Sequence, residues 1–358
     1  MKVISVVGAR PQFVKAAPVS KALRERHTEL LVHSGQHYDR AMSDVFFEQL
    51  GIPEADLNLG VGSGSHAAQT AEMLVKLEVV FEQERPDVVL VYGDTNTTLA
   101  GGLAAAKLGI PVAHVEAGLR SFNRAMPEEV NRVLVDHLSD ILLCPTAAAV
   151  ANLAAEGITD GVELVGDVML DTANRFHHAP ADAVLNGFGL QRDGYYLATV
   201  HRASNSDSRE SLSAIIEAFA VLDRPVLWAI HPRTTKNIDA LGLRPRLDEA
   251  TNIRPVPPVS YVETLALLQN ASALLTDSGG MQKEAYFFGV PCVTLRDETE
   301  WVETVELGWN RLAGADTARI VAAVKALDKP SARPAVYGDG HAAEAIVGCL
   351  EKRYGGTV

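Results

Sequence analysis

Leu275-Thr276-Asp277-Ser278-Gly279-Gly280-Met281-Gln282-Lys283-Glu284-Ala285 joins an apolar run, Ala273 to Leu275, to a helical stretch through a hydroxyl and two glycines. A buried strand that turns directly into a helix is the repeating unit of an α/β protein. The helix is predicted from about Gly280 to Phe288, so the free N–H groups of its first turn face the turn, and the helix dipole adds to their pull on an anion. Ser278, Gly279 and Gly280 are therefore candidates to hold phosphate. Glu284 lies one helical turn further in, too deep to cap the turn, yet able to accept hydrogen bonds from sugar hydroxyls beside a bound phosphate. A nucleotide or nucleotide-sugar site is the expectation.

The same alternation runs through the whole chain. Short Val/Ile/Leu runs occur at Val3 to Val7, Leu30 to His33, Val88 to Tyr92, Val112 to Val115, Ile141 to Cys144 and Val162 to Val165. A second series follows at Tyr195 to Val200, Val226 to Ile230, Ile253 to Val256, Ala273 to Thr276, Cys292 to Leu295 and Arg311 to Leu312. Such runs read as buried parallel strands. Between the two series the stretch 167–193 reads as a hinge, with Pro180, Gly187 and Gly189. Leu212, Ile215, Ile216, Phe219 and Ala220 repeat as one face of a helix laid on a sheet. The expectation is two doubly wound, Rossmann-like domains, 1–166 and 194–335, facing a cleft lined by the carboxyl ends of both strand sets. A last helix, about His341 to Tyr354 within 336–358, is expected to pack back on the first domain.

With 358 residues, 47% hydrophobic and 22% charged, the chain has the composition of a globular protein large enough for two cores. A formal charge of −13 argues against a nucleic-acid partner, which would need a basic surface. Cys144, Cys292 and Cys349 are odd in number and lack metal-ligand spacing, so they read as reduced thiols of a cytoplasmic protein with no metal. Met1 to Val7 is a strand's length of apolar residues ended by Gly8-Ala9-Arg10-Pro11, too short for a signal peptide or a membrane span.

Most of the candidate chemistry sits where strands end. Gly8-Ala9-Arg10-Pro11-Gln12-Phe13-Val14-Lys15 puts Pro11 at a first helical position and brings Arg10 and Lys15 to the helix start, which suits a diphosphate; a plain strand-to-helix turn with exposed bases is the bland alternative. Tyr92-Gly93-Asp94-Thr95 offers Asp94 as either a helix N-cap or a base. His114-Val115-Glu116-Ala117-Gly118-Leu119-Arg120 is followed by a loop to Pro127-Glu128-Glu129-Val130-Asn131-Arg132. Glu129 and Arg132, spaced i, i+3, read as a structural ion pair. Asp94, Glu116 and Glu128, gathered near Arg120 and Arg124, read as the acids and bases of proton transfer at carbon. In the second half, His201-Arg202 and His231-Pro232-Arg233 each follow a strand; a lone histidine is usually structural, but two such groups facing an anion turn favour a functional role, His201 above all.

One stretch invites a misreading. Gly60-Val61-Gly62-Ser63-Gly64-Ser65 has a dinucleotide-like glycine pattern, but Leu57-Asn58-Leu59 is a poor strand and no acid follows at the ribose distance, so a mobile loop before a helix near His66 to Glu84 is expected and NAD is not.

Taken in order, Gly8 to Gln12, Ser34-Gly35-Gln36-His37-Tyr38, Tyr92 to Thr95, His114 to Arg120, Pro127 to Arg132, His201-Arg202 and Asp277 to Gly280 resemble the non-hydrolysing UDP-N-acetylglucosamine 2-epimerases over nearly the whole chain. That resemblance implies a glycosyltransferase B fold, a homodimer, and interconversion of UDP-GlcNAc and UDP-ManNAc without cofactor or metal. It implies loss of UDP from C1 with removal of the C2 proton, giving a 2-acetamidoglucal, then re-addition of UDP. Asp94, Glu116, Glu128 and His201 become the catalytic set. Arg10, Lys15, Gln36, His37, Arg120, Arg202, His231, Ser278, Gly279, Gly280 and Glu284 become contacts to the UDP-sugar.

Departures from the family pattern bear on the sugar. Ser204 stands where a glutamate usually follows the histidine motif, and Thr299-Glu300-Trp301-Val302-Glu303 replaces the usual Thr-Glu-Arg-Pro-Glu. The run Phe46 to Gln69 resembles the branch acting on UDP-2,3-diacetamido-2,3-dideoxyglucuronate, which makes that sugar the alternative substrate. A glycosyltransferase or a hydrolysing epimerase of the same fold would share much of the same pattern. Tyr38-Asp39-Arg40-Ala41 after Gln36-His37 departs from the glutamine-rich activator segment, so activation by a second substrate molecule is expected to be weak or absent.

Overall fold

A computed structural model describes residues 1–35, 51–52, 54–177 and 181–355, the Arg10 side chain lying outside that description. The chain divides into two compact units, Met1–Asn174 with Ala335–Val358, and Arg175–Pro334.

In the first unit seven parallel strands stand in the order β3-β2-β1-β4-β5-β6-β7. They are β1 Lys2–Val7, β2 Thr28–His33, β3 Leu57–Asn58, β4 Val88–Tyr92, β5 Val112–Val115, β6 Ile141–Cys144 and β7 Val162–Leu164. All five residues of β4 are buried, as expected of an apolar run covered on both faces. Helix His66–Glu84 presses Met73, Leu77 and Phe81 onto Val6, Val89 and Val91. The edge strand β3 corrects the reading of Leu57-Asn58-Leu59: two residues pair in parallel with Val32 and His33. An edge strand this short lacks the apolar run that would mark it.

Six strands in the order β10-β9-β8-β11-β12-β13 form the second unit's sheet: β8 Tyr196–Thr199, β9 Val226–Ala229, β10 Ile253–Val256, β11 Ala273–Thr276, β12 Cys292–Thr294 and β13 Asn310–Leu312. Leu212, Ile215, Ile216 and Phe219 of helix Arg209–Ala220 are buried with Trp228, whereas Ala220, at the helix's last position, faces solvent. Leu267, Leu268, Leu274 and Tyr195 form a separate core cluster in the same unit.

The stretch 167–193 carries two helices, Val168–Phe176 and Ala181–Gly187, and the division between units falls within it. Helix Ala342–Tyr354 belongs to the first unit, packs on helix Arg10–Arg24 and anchors Glu351 to Arg26 and His27 at 3.1 and 2.9 Å.

Both sheets reverse their strand order once, between β1 and β4 in the first unit and between β8 and β11 in the second. At such a switch point the two flanking connections leave on opposite faces, opening a crevice at the carboxyl ends of the strands. The first unit's crevice lies beyond Val7 and Tyr92, and the second's beyond Thr199 and Thr276.

Candidate active site

In the first unit the turn after β1 is built before any ligand is considered. Gly8 N–H and Ala9 N–H donate to Gln12 Oε1 at 2.8 and 3.0 Å, and Gln12 Nε2 donates to the Tyr92 carbonyl at 2.9 Å, tying β1's turn to β4's. A Cβ at Gly8 would run into the Ser34 and Thr97 hydroxyls, so that position requires glycine. Helix Arg10–Arg24 then carries Lys15, nearly buried, to the Glu116 carboxylate, with which it forms an ion pair.

Glu116 follows β5 with φ 73, a left-handed conformation that a side chain with a Cβ tolerates at a cost of about 1–3 kcal/mol. Its own N–H and that of Ala117 donate to the Leu143 carbonyl at 3.1 and 3.2 Å, and the Lys15 pair holds its side chain, so the surroundings maintain the strained turn. Asp94, beyond β4, is not a helix cap: Thr95 caps helix Asn96–Lys107 through its hydroxyl, leaving the Asp94 carboxylate to pair with Arg132. The Asp94 carbonyl accepts from Asn131 Nδ2 at 2.9 Å.

Arg132 reaches Glu129 with its other nitrogen at 3.0 Å, the structural pair expected from their spacing. Glu129, buried, also accepts from the N–H groups of Ser121 and Phe122, each at 2.9 Å. Glu128 sits one residue earlier, half-buried in the first turn of helix Pro127–Leu138. Lys15 and Glu116 therefore come together beside Gly93, whose missing Cβ would sit 2.9 Å from Lys15 Nζ and 3.3 Å from Glu116 Oε2, and Asp94 is the next residue, its carboxylate on Arg132.

Arg120 falls elsewhere. Its NH1 donates to the buried Asp136 at 2.6 Å, and its Nε and NH2 to the exposed Glu156 at 2.7 and 2.6 Å, a network that leaves a substrate role for it without support. Burial alone would lower the Arg120 pKa, but Glu156 and Asp136 raise it above the ordinary value; the Arg120 hydrogen bond in turn lowers Glu156. Gln36 and His37 lie outside the described residues, as does the Arg10 side chain.

The second unit organises its turn around one acid. Asp277 is fully buried and accepts from the backbone N–H of His201 at 3.1 Å, from that of Arg202 at 2.9 Å and from Asn205 Nδ2 at 3.1 Å. It thereby joins the loop after β8 to the turn after β11. The His201 ring remains 42% exposed, with Nδ1 3.9 Å from Asp277 Oδ1, so the imidazole is oriented but open to solvent.

Ser278 caps helix Gly279–Phe288, accepting from Met281 N–H at 3.5 Å, and Gly280 stands in its first turn. At Gly279 a Cβ would meet the Glu300 carboxylate and lie 3.2 Å from Trp301 Nε1, so a larger residue there would displace the Glu300 side chain. Glu284, buried, accepts from Tyr261 Oη at 2.8 Å. His231 caps its own helix, Pro232–Ala240, accepting from Arg233 N–H at 3.2 Å, and is exposed.

Asp277, Gln12 and Asn131 are the residues that strand-end reasoning passed over. Asp277 stood inside the phosphate turn itself, and its position directly before Ser-Gly-Gly was the available signal.

A family model described as UDP-N-acetylglucosamine 2-epimerase matches residues 21–351 of the chain. A Methanococcus maripaludis protein named UDP-N-acetylglucosamine 2-epimerase homolog is 48% identical over 98% of this chain and 99% of its own length. A Pseudomonas aeruginosa protein named UDP-2,3-diacetamido-2,3-dideoxy-D-glucuronate 2-epimerase is 48% identical over 98% of this chain and 100% of its own. Among solved structures, Methanocaldococcus jannaschii UDP-GlcNAc 2-epimerase in complex with UDP-GlcNAc and UDP superposes with a TM-score of 0.92 at 42% identity, covering 98% of this chain and 100% of that one.

Proposed function

Because the chain belongs to the UDP-N-acetylglucosamine 2-epimerase family, enzymes of glycosyltransferase B architecture, we propose that it inverts C2 of a UDP-N-acetylhexosamine, UDP-GlcNAc to UDP-ManNAc, without a cofactor. The C2 hydrogen of such a sugar has no neighbouring carbonyl to acidify it. Elimination solves that problem: a base takes the C2 proton, the C1–O bond to UDP breaks, and a C1=C2 double bond forms in a 2-acetamidoglucal. Re-addition returns a proton to the other face of C2 while a β-phosphate oxygen rebonds to C1.

The observation that carries this reading is the pairing of Glu116 with Lys15 beside Gly93 and of Asp94, the next residue, with Arg132 at a sheet switch point, two acids set by buried cations where proton transfer needs fixed groups. Asp94, Glu116 and Glu128 supply the carboxylates, and His201 serves as acid or charge stabiliser at the phosphates. Ser278, Gly279 and Gly280 hold the diphosphate at a helix N-terminus, with Lys15 and Arg10 as cations and Glu284 toward the ribose. A cytoplasmic homodimer completes the reading.

A second substrate has its own support. Trp301 and Val302 stand where plain UDP-GlcNAc epimerases often carry arginine and proline, and one 48% identical relative is named for UDP-2,3-diacetamido-2,3-dideoxy-D-glucuronate. Incubation of the protein with each UDP-sugar in heavy water decides both points. Deuterium at C2 and the C2 epimer are expected with one or both; free sugar plus UDP would indicate a hydrolase, and no exchange with either would overturn the epimerase reading.

A further inference from the structure

Asp94 is held at several points, and they do different work. Asn131 Nδ2 donates to its carbonyl at 2.9 Å. His114 Nε2 lies 2.7 Å from the Gly93 carbonyl oxygen, which can only accept, so the β5 ring donates to the residue just before it. These contacts fix the backbone. Arg132 NH2 donates to the carboxylate and sets its direction.

Glu129 sets Arg132 in turn. A guanidinium is a rigid planar fork, so holding one arm orients the other. Arg132 NH1 donates to Glu129 Oε2 at 3.0 Å, and both side chains are buried. The same Oε2 accepts from Ser121 N–H and Ser121 Oγ, and Oε1 accepts from Phe122 N–H, all at 2.9 Å. Four donors occupy the roughly four lone-pair sites of a carboxylate, which makes Glu129 an anchor rather than a proton acceptor for substrate. Asp94, by contrast, keeps 26% of its side chain exposed.

The loop before the helix is shaped for this anchor. Phe122 sits at φ 58, a strain of about 1–3 kcal/mol, and the residue is 76% exposed, so burial of its ring does not offset the strain. The left-handed turn brings two consecutive N–H groups onto one carboxylate, and those charge-assisted hydrogen bonds hold it. We propose that Glu129 is a positioning residue: fastened by the Ser121–Phe122 turn, it fixes the Arg132 guanidinium, whose far nitrogen aims the Asp94 carboxylate. The loop from Glu116 to Glu128 and the aim of Asp94 then depend on one buried acid.

The kinetic test rests on the epimerase reading, in which Asp94 reacts. Glu129→Gln keeps the size of the side chain but turns an NH2 toward one of its donors, which breaks the clamp. It should lower kcat for C2 exchange about 100-fold with KM changed less than about threefold. Added to Asp94→Asn, it should cost less than about threefold more, because the aimed group is already gone. The same factor in both backgrounds would show that Glu129 does not act through Asp94 and overturn the proposal. Should Glu129→Gln fail to fold, Arg132→Lys replaces the fork by a point charge that cannot align two carboxylates, and it should show the same kcat loss and the same lack of additivity; an unchanged kcat overturns the proposal. A crystal structure of whichever variant folds should show the Asp94 carboxylate turned from its position in the unmodified protein, and an unmoved carboxylate overturns the proposal with or without activity. Absence of C2 exchange in the unmodified protein would sink the epimerase reading alone, leaving the aim of Asp94 to be decided by that structure.

Discussion

The two switch-point crevices are built on opposite plans. In the first unit functional side chains are set by other side chains: Lys15 fixes Glu116, Arg132 fixes Asp94, and His114 fixes the turn that bears Asp94. In the second, one buried acid, Asp277, collects backbone N–H groups and leaves His201 open to solvent. The difference matches the two tasks proposed for the units. Proton transfer at carbon needs groups aimed to within fractions of an ångström, which ion pairs inside a low-dielectric wall provide. Holding a diphosphate needs donors on a rigid backbone turn, and these a glycine turn and a single carboxylate can arrange.

Breaking the first plan should cost most. Lys15→Met takes from the nearly buried Glu116 carboxylate the buried cation it pairs with, a loss of about 3–5 kcal/mol. Hydrogen exchange should show it as faster opening of β5 and of helix Arg10–Arg24, with the second unit's protection unchanged. Asp94→Asn keeps the shape and removes only the charge; C2 exchange should fall about 10²–10⁴-fold while the melting temperature moves little. A melting loss as large as that of Lys15→Met would show Asp94 to be structural and erase the contrast between anchor and reactant within this unit.

The second plan predicts a smaller and differently distributed effect. Asp277→Asn retains an acceptor oxygen but loses the charge, and each charge-assisted hydrogen bond to the N–H groups of His201 and Arg202 weakens, about 1–3 kcal/mol in all. Exchange protection should drop in the loop after β8, and UDP affinity, measured by calorimetry, should fall about tenfold. Unchanged protection in that loop would mean that the turn does not depend on Asp277.

How far all this could be read from the chain follows from the same contrast. Strands such as Val88 to Tyr92 were legible because a parallel strand covered on both faces is apolar throughout. Strand β3 was not, since two edge residues carry no period. Asp94, Glu116 and the Ser278-Gly279-Gly280 turn stood at strand ends, where local spacing points to them. Arg120 was less legible for the opposite reason. Its partners, Asp136 and Glu156, come later in the chain and are joined to it by folding alone. An arginine in a loop near acids looks like a ligand contact until tertiary structure shows its donors committed. Asp277 was hidden in plain view, because an acid before Ser-Gly-Gly suggests the ligand, whereas its partners are backbone groups of a distant loop.

A third carboxylate tests the contrast inside the first unit. Asp171 behaves like Asp277, accepting from the backbone N–H groups of Ala342 and Ala343 at 3.2 and 2.8 Å at the start of helix Ala342–Tyr354. Here burial wins: it pushes the carboxyl up to about 6 against those two N–H groups, with Glu344 and Asp167 adding like charge. The folded protein therefore keeps a proton that the unfolded chain, near 3.8, has lost. The stability this carboxyl contributes is full below about pH 3.8 and is lost as pH rises through about 6. With the site partly open to water, the loss is about 1–2 kcal/mol, and it concentrates in the last helix. Exchange protection of Ala342–Tyr354, corrected for intrinsic rates, should decline from about pH 4.5 to about pH 7 in the unmodified protein and stay level in Asp171→Asn, which cannot ionise. Equal slopes in both would show that the capping N–H groups, rather than burial, govern this acid, and that the first unit also builds sites on the second unit's plan.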